Sequence, residues 1–269
     1  MKQCKMFGMR TIDSSPLPPV NEREYVMGLE KGLSVIEAFS QVRGPATLSQ
    51  LAEVTGHTRA SVRRSLLTLC QLGYAWQSGR HFMLAPRTLR LGQAFFQSEE
   101  LSRRVQPMLE LLSERTRESA SLAVLDSREV VFIARATHRR SLSTGFSVGI
   151  RLPVFCSATG RVLLAQQPRK QVEHLLRNIA RPALTAYTVT EVPNIMQLID
   201  KARTEKYAIS DQEIELGLRS IAVPIGLGDG PVQGAISLSV ARLRKSSEEL
   251  IEGLLPHLRD IGEMLNEAC

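Results

Sequence analysis

The 269-residue chain has no apolar run approaching the roughly 18 residues that cross a bilayer, so no membrane-spanning helix is expected. Cysteine is scarce. Cys4, Cys70, Cys156 and Cys269 stand far apart without C-x-x-C spacing, which suits a reducing cytoplasm better than a disulfide framework. The five histidines are equally scattered, and no two candidate ligands share a helix face or hairpin, so no metal is expected. Phosphate-loop (G-K-[ST]), nucleophile-elbow (G-x-S-x-G) and zinc-protease (H-E-x-x-H) patterns are all missing. Gly226 to Pro231 has a loose likeness to a phosphate loop but lies between two strands, and reads as a hairpin turn. Asp211, Glu213 and Glu215 have no nucleophile or base beside them in sequence. No enzyme and no cofactor are expected.

The absence that carries most information is local. From Val54 to Ser98 the chain holds Arg59, Arg63, Arg64, Arg80, Arg87 and Arg90 and no acidic residue. Residues 1–92 hold 12 Lys and Arg against 6 Asp and Glu, and the remainder 22 against 21, so nearly all of the net charge of +7 lies in the first third. A charge run is usually a solvated face, but one without counter-charges more often meets a polyanion.

What is present organises the chain into two units of roughly 80 and 170 residues. Residues 1–24 lack the apolar stretch of a signal peptide, and Pro16, Pro18 and Pro19 beside Ser14 and Ser15 mark a disordered arm whose start is open between Met1, Met6 and Met9. Over 26–40, Leu29, Leu33, Ile36 and Phe39 recur at helical spacing. Thr47 is placed to cap a short helix with Leu48, Leu51, Ala52 and Val54 inward, ending at Gly56. Thr58 caps another, with Val62, Leu66, Leu69 and Cys70 inward and Arg59, Arg63 and Arg64 outside. Two strands then flank a polar turn at 77–80, giving a helix-turn-helix with a wing over 25–85. A helical bundle with exposed arginines would show the same pattern over this stretch. A linker helix follows over 86–98, begun by Pro86.

Residues 99–269 form the second unit. A helix after Ser98 precedes strands at 121–126, 129–136 and 141–149, helices at 157–167, 168–178 and 192–206, strands at 218–225 and 232–241, and a final helix at 246–268. The class is α+β, with a central antiparallel sheet flanked by helices. In the last strand Ala235, Ser237 and Ser239 share one face, and Leu218, Ser220 and Ala222 give the neighbouring strand a similar low-bulk face. Beside the start of the helix at 157, whose free N–H groups favour an anion, these faces read as a pocket for a small carboxylate. They read equally as packing beneath a close helix.

The segments GLEKGLSVIEAF, LSQLAEVTGHTRASVRRSLLTLCQLGY, RHFMLAPRTLRLG, VGIRLPVFCSATGRVLLA and DQEIELGLRSIAVP resemble the IclR family of bacterial transcription regulators, most closely the branch governing protocatechuate and 4-hydroxybenzoate catabolism. The likeness spans about residues 25 to 267. It implies a winged helix joined to a GAF-like effector domain, a dimer or tetramer on a palindromic double-stranded operator, a small carboxylate effector, and RNA polymerase as a partner if the protein activates. It also implies DNA contacts at Thr47, Thr58, Arg59, Ser61, Arg63, Arg64, Arg80 and His81, and effector contacts at Ser141, Thr144, Ala158, Thr159, Ser210, Leu218, Ser220, Ser237 and Ser239. Ser210 and Ser220 stand where relatives that bind small oxo-acids carry an acid or cysteine. That departure weakens an oxo-acid effector without removing it. Two rival functions stay open at this point: an enzyme, and a ligand-binding protein whose basic third docks another protein.

Overall fold

The computed structural model describes residues 21, 23–42, 44–98, 100–138, 146–226, 232, 234–241 and 246–267. Residues 1–20 and 22 of the arm expected over 1–24, Ser141, Thr144 and residues 227–231 of the turn expected at Gly226 to Pro231 lie outside them. The chain divides into an N-terminal unit, Ser15–Glu99, and a C-terminal unit that holds Glu100–Cys269. The expected linker therefore groups with the first unit.

In the N-terminal unit, α1 (Met27–Ala38), α2 (Leu48–Thr55) and α3 (Arg59–Gln71) pack around a three-stranded antiparallel sheet of β1 (Ala46–Thr47), β3 (His81–Leu84) and β2 (Ala75–Ser78), in that order. Local chemistry sets the boundaries. Thr47 and Gln50 form a reciprocal capping box on α2, which stops at Gly56 in a left-handed turn of φ +67°. The Thr58 hydroxyl accepts from the Ser61 N–H at the start of α3. Val35, Leu51, Val62, Leu66 and Phe82 make the core. The α1 periodicity misplaces its face: Leu29 and Leu33 are 61% and 47% exposed, while Val35 and Ala38 are buried. Only the C-terminal half of that helix enters the core, so its N-terminal leucines remain at the surface. Gly79, at φ +57°, turns the chain between β2 and β3, which makes the hairpin a wing. A short 3-10 turn at Pro86–Thr88 then leads into α4 (Leu89–Ser98).

The C-terminal unit is a six-stranded antiparallel sheet between two helical layers. The strands are β4 (Ser119–Asp126), β5 (Glu129–Ala136), β6 (Arg151–Pro153), β7 (Ala208–Asp211), β8 (Leu218–Ile225) and β9 (Gly234–Ala241), ordered β6-β5-β4-β9-β8-β7. One face carries Leu122, Ile221, Ile236 and Leu238 against α5 (Glu100–Thr116), α9 (Ser247–Gly253) and α10 (Leu255–Glu267). The other carries Ala123, Phe132, Ala222 and Ala235 beneath α6 (Ala158–Leu164), α7 (Arg169–Arg177) and α8 (Val192–Glu205). Each fully buried Leu or Ile contributes about 1.5–3 kcal/mol, so the bulky face anchors the sheet and leaves the other free to be specialised.

Two expected elements differ. The described part of the 141–149 strand, residues 146–149, is not extended into the sheet, and the edge strand is Arg151–Pro153 instead. Glycine and proline in that region confine pairing to three residues. The single helix expected at 246–268 is two, meeting at Leu254 between Gly253 and Pro256.

Candidate functional site

Two constellations stand out, one in each unit. On α3 the inward positions are Val62, Leu66 and Leu69, and 3.6-residue geometry therefore turns Arg59, Arg63 and Arg64 to solvent. Arg80 and His81 are exposed at the tip of the wing, and Thr58 is exposed at the cap. Among the described residues Arg59, Arg63, Arg64 and Arg80 form no ion pair.

Three members of the expected DNA-contact set sit differently. Ser61 is only 8% exposed and, with Arg64, Ser65 and Thr68, borders a groove against α1. One position before the core residue Val62, it is swept inward, and its hydroxyl is not offered to a duplex as expected. Arg64 borders the same groove, so of the α3 cations Arg59 and Arg63 face furthest from α1. Thr47 donates its hydroxyl to Gln50 Oε1 at 2.8 Å, which commits that proton to the capping box.

In the C-terminal unit a cavity of about 20 Å³ lies between the sheet and α6. Ala158, Thr159, Ser210, Leu218, Ser220, Ser237 and Ser239 all line it, joined by Phe132, Phe146, Leu152, Ser157 and Ile214. Strand register explains the convergence. Ser210 lies opposite Ser220, Ser220 opposite Ser239, and Ser239 opposite Ser119, so one serine from each of four adjacent strands falls in a single row. The next row holds Ala222, Ser237 and Ser121.

Some of these hydroxyls are used internally. Ser210 donates to the Cys156 carbonyl at 2.7 Å, Ser157 donates to the Pro153 carbonyl and accepts from the Gly160 N–H, and the Ser220 and Ser239 oxygens are 3.3 Å apart. Thr159 and Ser237 have no hydrogen-bond partner among the described residues although both are nearly fully buried. The hydroxyl of Ser121 is likewise buried and unpartnered. Phe132 and Phe146 meet edge to face with centroids 6.1 Å apart and form an aromatic wall. Among the described residues no charged side chain lines the cavity.

Behind α6 a buried ion pair fixes the walls. Arg161, 1% exposed, chelates Glu213 through both terminal nitrogens at 2.5 and 2.7 Å and donates to the carbonyls of Phe155 and Ile209. Glu213 also accepts from the Val189 N–H. One joint thus ties together the start of α6, the end of β7 and the loop at 185–189. Burial, and secondarily the Glu213 charge, pushes the Cys156 thiol up to about 12.

Sequence reasoning missed Phe132, Phe146, Leu152, Ser157, Ile214 and the Arg161–Glu213 pair. Alternation in EVVFIARA offered one signal, since Val130 and Phe132 share a face. An irregularity in the pairing at Leu122 and Ala123 breaks that alternation beyond Phe132.

Residues 28–79 match the IclR helix-turn-helix domain, and residues 93–266 match the bacterial transcriptional regulator IclR C-terminal domain. The chain belongs to the IclR family. This IclR-family regulator is 37% identical over 236 residues to the Pca regulon regulatory protein of Pseudomonas putida, covering 87% of this chain and 81% of that one. It is 34% identical over 251 residues to the p-hydroxybenzoate hydroxylase transcriptional activator of Acinetobacter baylyi, covering 91% and 93%. An IclR homologue from Microbacterium hydrocarbonoxydans, solved in complex with 4-hydroxybenzoate, superposes with a TM-score of 0.71 at 27% identity, covering 88% of this chain and 98% of that one. The IclR-family helix-turn-helix and C-terminal domain make the chain a DNA-binding regulator with a small-molecule effector domain rather than an enzyme.

Proposed function

We propose that this regulator grips a palindromic operator as a symmetric dimer or tetramer and answers to a small hydroxylated aromatic acid held in the serine-lined cavity, activating a catabolic operon in the cytoplasm. Arg59 and Arg63 would meet base edges or phosphates, Arg64, Thr47 and Thr58 would lie nearer the backbone, and Arg80 and His81 on the wing would reach a neighbouring groove. RNA polymerase is then its partner at the promoter. The exposed Leu29 and Leu33 support self-association, which a two-fold operator requires.

The observation that carries the effector reading is the pair Thr159 and Ser237, buried residues that line the cavity beside the Phe132–Phe146 wall with no hydrogen-bond partner among the described residues. Buried hydroxyls without partners are costly, about 1–3 kcal/mol each, unless a ligand supplies the missing bonds. The 4-hydroxybenzoate complex of the Microbacterium homologue and the name of the Acinetobacter activator support an aromatic hydroxy acid. Thermal shift of the full chain with 4-hydroxybenzoate, 3,4-dihydroxybenzoate and pyruvate tests it. A binder present at a hundred times its Kd stabilises by about 2.7 kcal/mol. An aromatic acid raises Tm under this reading, and a response to pyruvate alone rejects it. That second outcome defines the rival, a regulator of an aliphatic or oxo-acid, which the small cavity volume favours. DNA binding is tested separately: Arg63→Ala should lose retention of a duplex while keeping the ligand response.

A further inference from the structure

Arg87 is one of the six arginines in the acid-free stretch, yet its surroundings set it apart. α3 ends in a Schellman turn, with the Tyr74 N–H on the Leu69 carbonyl at 2.8 Å, the Gly73 N–H on Cys70 at 3.0 Å, and Gly73 at φ +76°. That turn leaves the Leu72 carbonyl at the negative end of the helix, and Arg87 Nη1 donates to it at 2.8 Å. The same guanidinium lies over the Tyr74 ring, 5.3 Å from its centroid. The Tyr74 carbonyl accepts from the Ala85 N–H at 2.8 Å and the Thr88 hydroxyl at 3.1 Å. A Cβ on Gly73 would lie 3.5 Å from Arg87 Nη1, so the guanidinium rests directly on this turn.

Residues 72–74 and 85–88 are therefore clasped across the base of the wing by three hydrogen bonds and a cation–ring contact. Without the clasp, the covalent path from α3 to the linker runs out and back through β2 and β3, whose ends could absorb a small rotation. With it, the entry to α4 is fixed to the exit of α3. Pro86, with its restricted φ, stiffens that entry.

We propose that Arg87 is a coupling residue and not a phosphate contact: it fastens the start of the linker helix to the end of the DNA-facing helix, so that a shift in one is delivered to the other without passing through the wing. The proposal rests on the reading that α3 faces the duplex and α4 carries the signal. Linkage is reciprocal, so duplex bound at α3 must be felt in α4 even with no effector present.

Amide exchange of the full chain, with and without a random-sequence duplex of about 30 base pairs at low ionic strength, measures this. In the unaltered protein the duplex should slow exchange in α3, in the wing and onward through the first turns of α4. Arg87→Ala should bind the same duplex within about twofold and keep the same dependence on salt, while the slowing stops at Leu84. Arg87→Lys should restore part of the spread, because an ammonium reaches the Leu72 carbonyl but cannot lie flat on Tyr74. A loss of about one unit of salt slope in Arg87→Ala, as expected for Arg63→Ala, would make Arg87 a phosphate contact and overturn the proposal. Slowing that still spreads into α4 would overturn it too. If the unaltered protein ignores the duplex, the DNA reading fails on its own, and exchange in the free protein decides the clasp. Arg87→Ala must then speed exchange at 85–92 while leaving α2 unchanged, and equal exchange rejects it.

Discussion

Ser237 is nearly fully buried on the cavity wall and its hydroxyl is bonded to nothing among the described residues, an arrangement that lowers stability in the unliganded protein. Ser237→Ala removes the orphan group and enlarges the cavity by only one oxygen atom. The variant should melt a few degrees higher than the parent, and its affinity for a hydroxylated aromatic acid should fall about tenfold, the value of one buried hydrogen bond. Calorimetric titration beside a melting curve reads both signs, and a variant that loses stability while keeping affinity would assign Ser237 to packing. Cys156 gives a second test at this scale. Its thiol, buried and held up to about 12, should not react with a thiol reagent at pH 8 until the protein unfolds. The folded value lies above the ordinary 9.0, so the stability this thiol contributes is complete below about pH 9 and is lost as pH rises toward about 12. Rapid labelling of Cys156 in the native protein would show that the wall formed by residues 153–157 opens freely.

Among the elements, α2 depends on a cap and α6 on a buried charge pair. Thr47→Ala removes the side-chain half of the α2 capping box, leaving the backbone N–H of residue 47 on Gln50 Oε1, and should cost about 1 kcal/mol in urea unfolding. Because the Thr47 proton is already committed to Gln50, DNA affinity should change far less than in Arg63→Ala. Glu213→Ala leaves the Arg161 guanidinium buried without its counter-ion and should cost about 3–5 kcal/mol. Both helix starts were legible because capping is local: Thr47, Gly56 and Thr58 declare themselves within four residues. The small-residue face of β9 was legible because period-two alternation separates Ser237 and Ser239 from Ile236 and Leu238 whatever the tertiary context. The outward set of Leu29 and Leu33 was not, because periodicity gives a helix an apolar face but not the length of it that finds a partner. The Arg161–Glu213 pair was hidden for the same kind of reason. Its members are 52 residues apart and meet only once the sheet has formed.

At the scale of the whole molecule, the cavity volume and the size of an aromatic acid must be reconciled. A cavity of about 150 Å³ holds a benzene ring, whereas this one measures about 20 Å³. An aromatic effector can enter only if its walls part, so the conformation that binds it differs from the closed one described. That requirement gives effector binding a structural consequence, which a preformed pocket would lack. If the wider conformation also alters the presentation of the winged helices, effector and operator affinities are linked, and thermodynamics demands that they be linked equally. The factor by which a saturating aromatic acid tightens operator binding must equal the factor by which the operator tightens binding of that acid, typically between about fivefold and 150-fold. Paired titrations measure the two factors independently. Equal factors above one support a single two-state switch, a common factor of one separates effector binding from DNA binding altogether, and Arg87→Ala should move the protein from the first result toward the second.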